Sequence, residues 1–176
     1  MRTWDFEDGT MQGFTLENGD CGVQPLLYVG SGDDRWKLSS GGTYYLNTYL
    51  YGSDINSTNA DDSKQCLFAD KVHFFTITVD TEISWYETGQ GHSLCLKRLS
   101  DDGELLCKRY SYTHFDMQGR NFSSSELSSL IGETFYIAVT DESGSAWGSL
   151  QLDNMKVVAM PEYSTFHSYY FLSHII

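Results

Sequence analysis

GETFYIAVTD, residues 132–141, and ESGSAWGSLQLDN, residues 142–154, form the stretch that decides the fold of this chain. Apolar side chains occupy every second position of its first half, at Phe135, Ile137 and Val139. This alternation is the pattern of a half-buried strand. Residues 141–145 carry turn-forming side chains, and two leucines then resume the alternation before Asp153. The stretch therefore predicts two consecutive strands joined by an acidic turn.

The segment WDFEDGT, residues 4–10, is the counterpart of this stretch at the other end of the chain, and we expect the first and last strands to meet. The 176 residues include 16 Gly and 12 Tyr but only two Pro. Such a composition favours an all-β fold, here an antiparallel β-sandwich. One helical turn is expected within residues 123–132, where a Ser cap precedes Glu126. We assign residues 1–159 to the sandwich and treat residues 160–176 as a C-terminal tail.

The charge of the chain limits its partners. The formal net charge is -13 at pH 7, and nucleic acids and anionic membranes require cationic surfaces. A divalent cation, a neutral ligand or a basic surface remains compatible with this charge, which also favours solubility. No apolar run reaches the roughly 18 residues of a membrane span, and no signal-peptide core is visible. We therefore expect no membrane insertion and a domain that belongs to a larger protein with neighbouring domains.

The four cysteines, Cys21, Cys66, Cys95 and Cys107, show no zinc-binding spacing. Cys95 and Cys107 flank the turn of a strong hairpin signal, so the two residues face each other on neighbouring strands. They form either a disulfide or two half-buried thiols. Asn56 and Asn121 match the N-glycosylation pattern. Together these features favour an extracellular or cell-surface location.

One cluster of side chains suits a saccharide. An aromatic ring can stack on the apolar face of a sugar, while charged and amide groups bind its hydroxyls. The candidates lie on one strand end, its glycine-rich loop and the following hairpin: Trp85, Tyr86, Glu87, Gln90, His92 and Arg109. Tryptophan in a sandwich is more often a core residue. An exposed Trp85 would favour sugar binding, and a buried Trp85 would favour a structural role.

Several motifs in order resemble a known family: FEDGT, GGTYYLNTY, GETFYIAVTD and WGSLQLDN. They are similar to jelly-roll β-sandwich domains of the galactose-binding-like type, which accompany levanase- and invertase-like glycoside hydrolases. MAM adhesion domains share the opening and ending more loosely. The resemblance covers roughly residues 4–158. Ser149 stands where the family usually has His, and Phe14 stands where Trp is commoner.

The resemblance implies non-catalytic carbohydrate recognition, with a glycan or polysaccharide as partner. The alternative is a structural or adhesion domain of MAM type that binds a protein. Similar jelly rolls often hold a structural Ca²⁺ between the first and last strands. The resemblance makes Glu7, Asp8 and Asp153 the candidate ligands here, since calcium prefers oxygen donors. Otherwise these carboxylates only cap strand ends and turns.

Catalysis is not indicated by the sequence. There is no nucleophile elbow, no HExxH motif and no phosphate-binding loop. With 24 acidic residues in the chain, pairs of carboxylates are expected by chance. Such pairs are therefore no evidence for glycosidase activity. We expect no enzyme activity, although an accessory domain of a glycoside hydrolase would fit the resemblance.

Overall fold

The computed structural model describes residues 1–19, 26–27, 44–47, 66–111, 114–142 and 150–161, which form two β-sheets. The first sheet contains β1 (Arg2–Trp4), β3 (Leu26–Leu27), β4 (Tyr44–Asn47), β6 (Glu82–Gly89), β9 (His114–Phe122) and β11 (Leu150–Val158). The second sheet contains β2 (Phe14–Gly19), β5 (Cys66–Thr76), β7 (His92–Arg98), β8 (Glu104–Tyr110), β10 (Thr134–Asp141) and β12 (Met160–Pro161). One short helix, α1, spans Ser124–Ser128.

Every described strand pair is antiparallel, which confirms the predicted all-β antiparallel sandwich. The first sheet has the order β3-β4-β11-β6-β9, and β1 also pairs with β11. The expected pairing of the first strand with the strand that contains Asp153 is therefore confirmed, with Trp4 opposite Met155. The second sheet has the order β12-β5-β10-β7-β8, and β2 also pairs with β5. Met160 lies opposite Thr76, so regular pairing continues just past residue 159.

The core lies between the two sheets, and β10 contributes the alternate side chains that the sequence predicts. The strand is buried on both faces and not half-buried as predicted, because Tyr136 and Ala138 pack in a second cluster on its other side. Phe135, Ile137 and Val139 of β10 are each at most 1% exposed. Trp4 and other large side chains from the first sheet meet them there. Each such apolar side chain contributes roughly 1.5–3 kcal/mol when it is fully buried. Phe14, which replaces the tryptophan of the family pattern, is also a core residue with 3% exposure.

A buried carboxylate shapes the middle of β5. Residues 71–74 bulge out of the pairing with β10, and Asp70 precedes them. The Asp70 side chain is fully buried and accepts hydrogen bonds from the backbone N–H groups of Val72 at 3.0 Å and His73 at 3.1 Å. It also accepts the indole N–H of Trp4 at 2.7 Å. One aspartate thus ties the bulge of the second sheet to β1 of the first.

Helix α1 begins with the predicted cap. The side chain of Ser123 accepts a hydrogen bond from the Glu126 backbone, and the Glu126 carboxylate accepts the N–H of Ser123. This reciprocal pair is a capping box, which satisfies two of the otherwise unpaired groups at a helix start. No helix in the described part of the chain is long and apolar enough to cross a membrane.

Candidate functional site

The structure separates the six predicted ligand residues. Trp85 is only 1% exposed and packs in the core against Phe122, with ring centroids 5.1 Å apart. A ring in this position cannot stack on an external sugar. The burial of Trp85 therefore gives this residue the structural role that was the alternative at the sequence level.

Glu87 and His92 also lie inside the sandwich, where they form a buried ion-pairing group. His92 Nε2 is 2.5 Å from one carboxylate oxygen of Glu87, and Arg120 Nε donates to the other at 2.7 Å. Burial alone raises the pKa of a carboxyl, but the hydrogen bonds and charges of His92 and Arg120 outweigh it. The pKa of Glu87 is consequently lowered. This group links β6, β7 and β9, and its arginine was not predicted.

Tyr110 closes the same interior group. Its ring lies 5.1 Å from the His92 ring and 4.9 Å below the guanidinium of Arg120. Burial and the nearby charge of Glu87 raise the pKa of Tyr110 to about 12. The group is thus held by stacking as well as by charge, and its two most buried members are at most 2% exposed.

Arg109 and Gln90 lie apart from this group. Arg109 projects from the outer face of the second sheet, where its guanidinium donates to Glu104 at 2.7 Å. Gln90 is half-buried in the bend between β6 and β7. The predicted ligand residues are therefore divided between the interior, one bend and the outer faces of two different sheets.

Tyr86 is the predicted aromatic ligand residue that remains open to solvent. It alternates with Trp85 and Glu87 on β6, so its ring faces away from the core and is 37% exposed. Directly paired residues of neighbouring strands share a face. On this outer face Tyr86 lies between Asp153 of β11 and Gly119 of β9. Asp153 is only 1% exposed, whereas Gly119 is exposed.

A second row of polar side chains lies beside Tyr86 on the same face. Lys156 of β11 pairs with Ser84 of β6, and Ser84 pairs with Asn121 of β9. All three residues are exposed. Within the described part of the chain, their side chains make no hydrogen bond or ion pair. We name the surface formed by Ser84, Tyr86, Gly119, Asn121 and Lys156 the tyrosine patch.

The tyrosine patch combines the groups that recognise polyols. The exposed ring offers an apolar surface, and the exposed hydroxyl, amide and ammonium groups beside it can form hydrogen bonds with a ligand. Of the other residues in the patch, the sequence alone could have predicted only Ser84, because it lies two residues from Tyr86 on the same strand and therefore on the same face. Asn121 and Lys156 join the patch through strand register, which a single sequence does not show.

The candidate calcium ligands do not converge. Glu7 and Asp8 are exposed, and the Asp8 carboxylate accepts hydrogen bonds from the backbone and hydroxyl of Thr10 at 2.9 and 2.8 Å. Asp153 is buried. Among the described residues, the one set of three potential ligands within 4.8 Å is Cys95, Glu104 and Cys107, and its cysteines are disulfide-bonded. The Ca²⁺ site stays a prediction without a three-carboxylate cluster to support it.

The hairpin disulfide is present, which decides between the two alternatives left by the sequence. Cys95 and Cys107 lie directly opposite each other on β7 and β8, with Cα atoms 4.1 Å apart. Cys66 is disulfide-bonded too. Of the two glycosylation candidates, Asn121 is an exposed residue of the tyrosine patch, and Asn56 lies outside the described residues.

No family model and no curated protein matches this chain. Among solved structures, it is similar to the K1 cleaved adhesin domain of Lys-gingipain from Porphyromonas gingivalis W83. That match has a TM-score of 0.55 and 10% identity, and covers 90% of this chain and 97% of the adhesin domain. It is also similar to TmCBM61, which was solved in complex with beta-1,4-galactotriose. Here the TM-score is 0.53, the identity 14% and the coverage 88% and 94%.

At sequence identities of 10% and 14%, these two similarities show a shared fold and nothing more. A β-sandwich shared with a carbohydrate-binding module and an adhesin domain agrees with the galactose-binding-like jelly roll that the sequence resembles. Ser149, where the sequence departs from the family pattern, lies outside the described residues.

Proposed function

We propose that this protein is a non-catalytic carbohydrate-binding domain and that the tyrosine patch is its binding surface. The observation that carries the proposal is the exposed ring of Tyr86 beside the side chains of Ser84, Asn121 and Lys156, which have no hydrogen-bond or ion-pair partner among the described residues. Exposed aromatic rings with a few convergent polar groups are the usual elements of sugar recognition. The negative net charge of the chain favours a neutral glycan over an acidic one.

The fold supports this proposal without deciding it. TmCBM61, whose sandwich is similar, was solved with a bound galactose trisaccharide, so β-1,4-galactotriose is a reasonable first probe. The proposed location is extracellular or at the cell surface, as part of a larger protein. The Cys95–Cys107 disulfide supports this location, because disulfides persist in oxidising compartments.

The test is a glycan array and a calorimetric titration with β-1,4-galactotriose, using protein made in bacteria so that Asn121 carries no glycan. We expect Tyr86→Ala to abolish binding. Arg109→Ala serves as the control because Arg109 lies on the outer face of the other sheet. Loss of binding in the arginine variant, with binding kept in the tyrosine variant, would refute the tyrosine patch as the site.

The same array, repeated with a chelator, tests the calcium prediction. Binding that disappears on chelation and returns with added Ca²⁺ would support a metal site at Glu7, Asp8 and Asp153. If the chelator has no effect on binding, the proposed sugar site would stand, and the result would count against a calcium ion that stabilises this site.

Adhesion to a protein partner is the second candidate function. The burial of Trp85 and the similarity to a gingipain adhesin domain favour it. Silence of the folded protein across a broad glycan array would overturn carbohydrate binding and support this alternative.

A further inference from the structure

Gly119 is a glycine that the backbone of β9 does not require. It lies within regular pairing, opposite Tyr86, and the register shift of this strand pair occurs further along, between Glu87 and Gly89. Its φ angle is not positive, so a residue with a side chain could adopt the same backbone conformation. Glycine weakens the interior of a strand and often marks a place where a ligand approaches closely.

The missing side chain leaves space beside the tyrosine ring. A Cβ atom at residue 119 would lie 3.5 Å from Cε1 and 3.9 Å from Cζ of Tyr86. Alanine would therefore make ordinary contact, and a larger side chain would cover this edge of the ring. Among the described residues, β9 is the outermost strand of the first sheet. The space beside the Tyr86 ring therefore extends over β9 to the edge of the sheet.

We propose that Gly119 determines ligand specificity by letting a sugar chain continue from Tyr86 across β9. The tyrosine patch then takes at least two consecutive units of a linear, neutral polysaccharide and not a single sugar. Asn121 supplies the polar contact for the second unit, since it lies two residues along β9 on the same face, about 7 Å away. This inference rests on the proposed function.

The alternative explanation of the contact is structural. In this explanation the Tyr86 ring covers the exposed backbone at Gly119, a known way of stabilising glycine in sheets. In that case a side chain at residue 119 changes stability but has no effect that depends on ligand length. The two explanations therefore separate in a binding experiment with ligands of increasing length.

The experiment measures the affinity of the whole chain for neutral β-1,4-linked gluco-, xylo-, manno- and galacto-oligosaccharides, from the monosaccharide to the hexasaccharide. We expect the affinity of the unmodified protein to rise with length. Gly119→Val should weaken trisaccharide binding about tenfold or more beyond any change in monosaccharide binding, because the valine blocks the path of the second unit. Arg109→Val, at an exposed strand position on the outer face of the other sheet, is the control.

Gly119→Ala keeps the inference testable if the valine variant does not fold, and it should cause a smaller loss of the same kind. Equal affinity for the monosaccharide and the trisaccharide in the unmodified protein would overturn the inference while leaving the proposed function intact. The inference would also be overturned if folded Gly119→Val and Gly119→Ala proteins showed the same dependence of affinity on oligosaccharide length as the unmodified protein. Absence of binding at every length would overturn the proposed function together with this inference.

Discussion

At the scale of single residues, Trp85 and Tyr86 show how one position along a strand separates core from surface. Trp85 is 1% exposed and Tyr86 is 37% exposed. We predict that Trp85→Ala lowers the free energy of unfolding by about 3–5 kcal/mol, as for other large side chains removed from cores. Tyr86→Ala should cost far less. Urea denaturation of both variants measures the difference, and a fully stable Trp85→Ala protein would contradict the core assignment.

The buried charge of Glu87 gives a second prediction for a single residue. Its carboxylate is fully buried between His92 and Arg120, so its removal takes away the acceptor of the Arg120 guanidinium and the hydrogen-bond partner of His92 Nε2. We expect Glu87→Ala to destabilise the protein by about 3–5 kcal/mol. Glu104→Ala breaks the exposed pair with Arg109 and should cost no more than about 1 kcal/mol. Equal losses in chemical denaturation would mean that burial adds nothing at Glu87.

At the scale of elements, the turn between β1 and β2 contains two glycines that differ in their surroundings. Gly9 and Gly13 both have positive φ angles, 71° and 114°, where a side chain costs about 1–2 kcal/mol. A Cβ at Gly9 would meet nothing within 4 Å, but at Gly13 it would lie 2.7 Å from an oxygen of Asp70. We predict that Gly13→Ala is clearly more destabilising than Gly9→Ala. Thermal unfolding of the two variants checks this, and similar losses would show that Asp70 can move aside.

Helix α1 gives a pH-dependent prediction. Hydrogen bonds from Lys108 and from Ser123 lower the pKa of Glu126 from 4.5 to about 2. A lowered pKa means that the ionised carboxylate stabilises the fold above pH 4.5, and that this contribution is lost as the pH falls through about 2. Glu126→Gln keeps a side chain suited to the capping box but does not titrate. Its stability should therefore fall less steeply than that of the unmodified protein in denaturation between pH 4.5 and pH 2, and parallel curves would contradict the assignment.

Elements were more predictable than sites for a physical reason. Alternation in residues 135–139 indicates which face of the strand enters the core, and the capping box at Ser123 is a local pattern, so both could be read from the chain. The burial of the other face depends on packing that the alternation does not show. The candidate site depended on which side of β6 faces inward. Trp85 and Tyr86 are both large and aromatic, so the sequence did not decide between them. Arg120 reaches Glu87 only through the pairing of β6 with β9, which local sequence does not contain.

At the scale of the whole molecule, the Cys95–Cys107 disulfide constrains the unfolded chain. The bond joins residues 12 apart in sequence, and a loop of this length limits the unfolded ensemble enough to contribute about 3 kcal/mol. Because domains of this size are stable by only about 5–15 kcal/mol, we predict that replacing both cysteines by alanine lowers the unfolding midpoint but leaves the sandwich folded. Urea denaturation and circular dichroism of the double variant measure both effects. Binding at the tyrosine patch should survive, since the patch lies on the other sheet. A folded double variant that lost binding would show that the second sheet controls the patch.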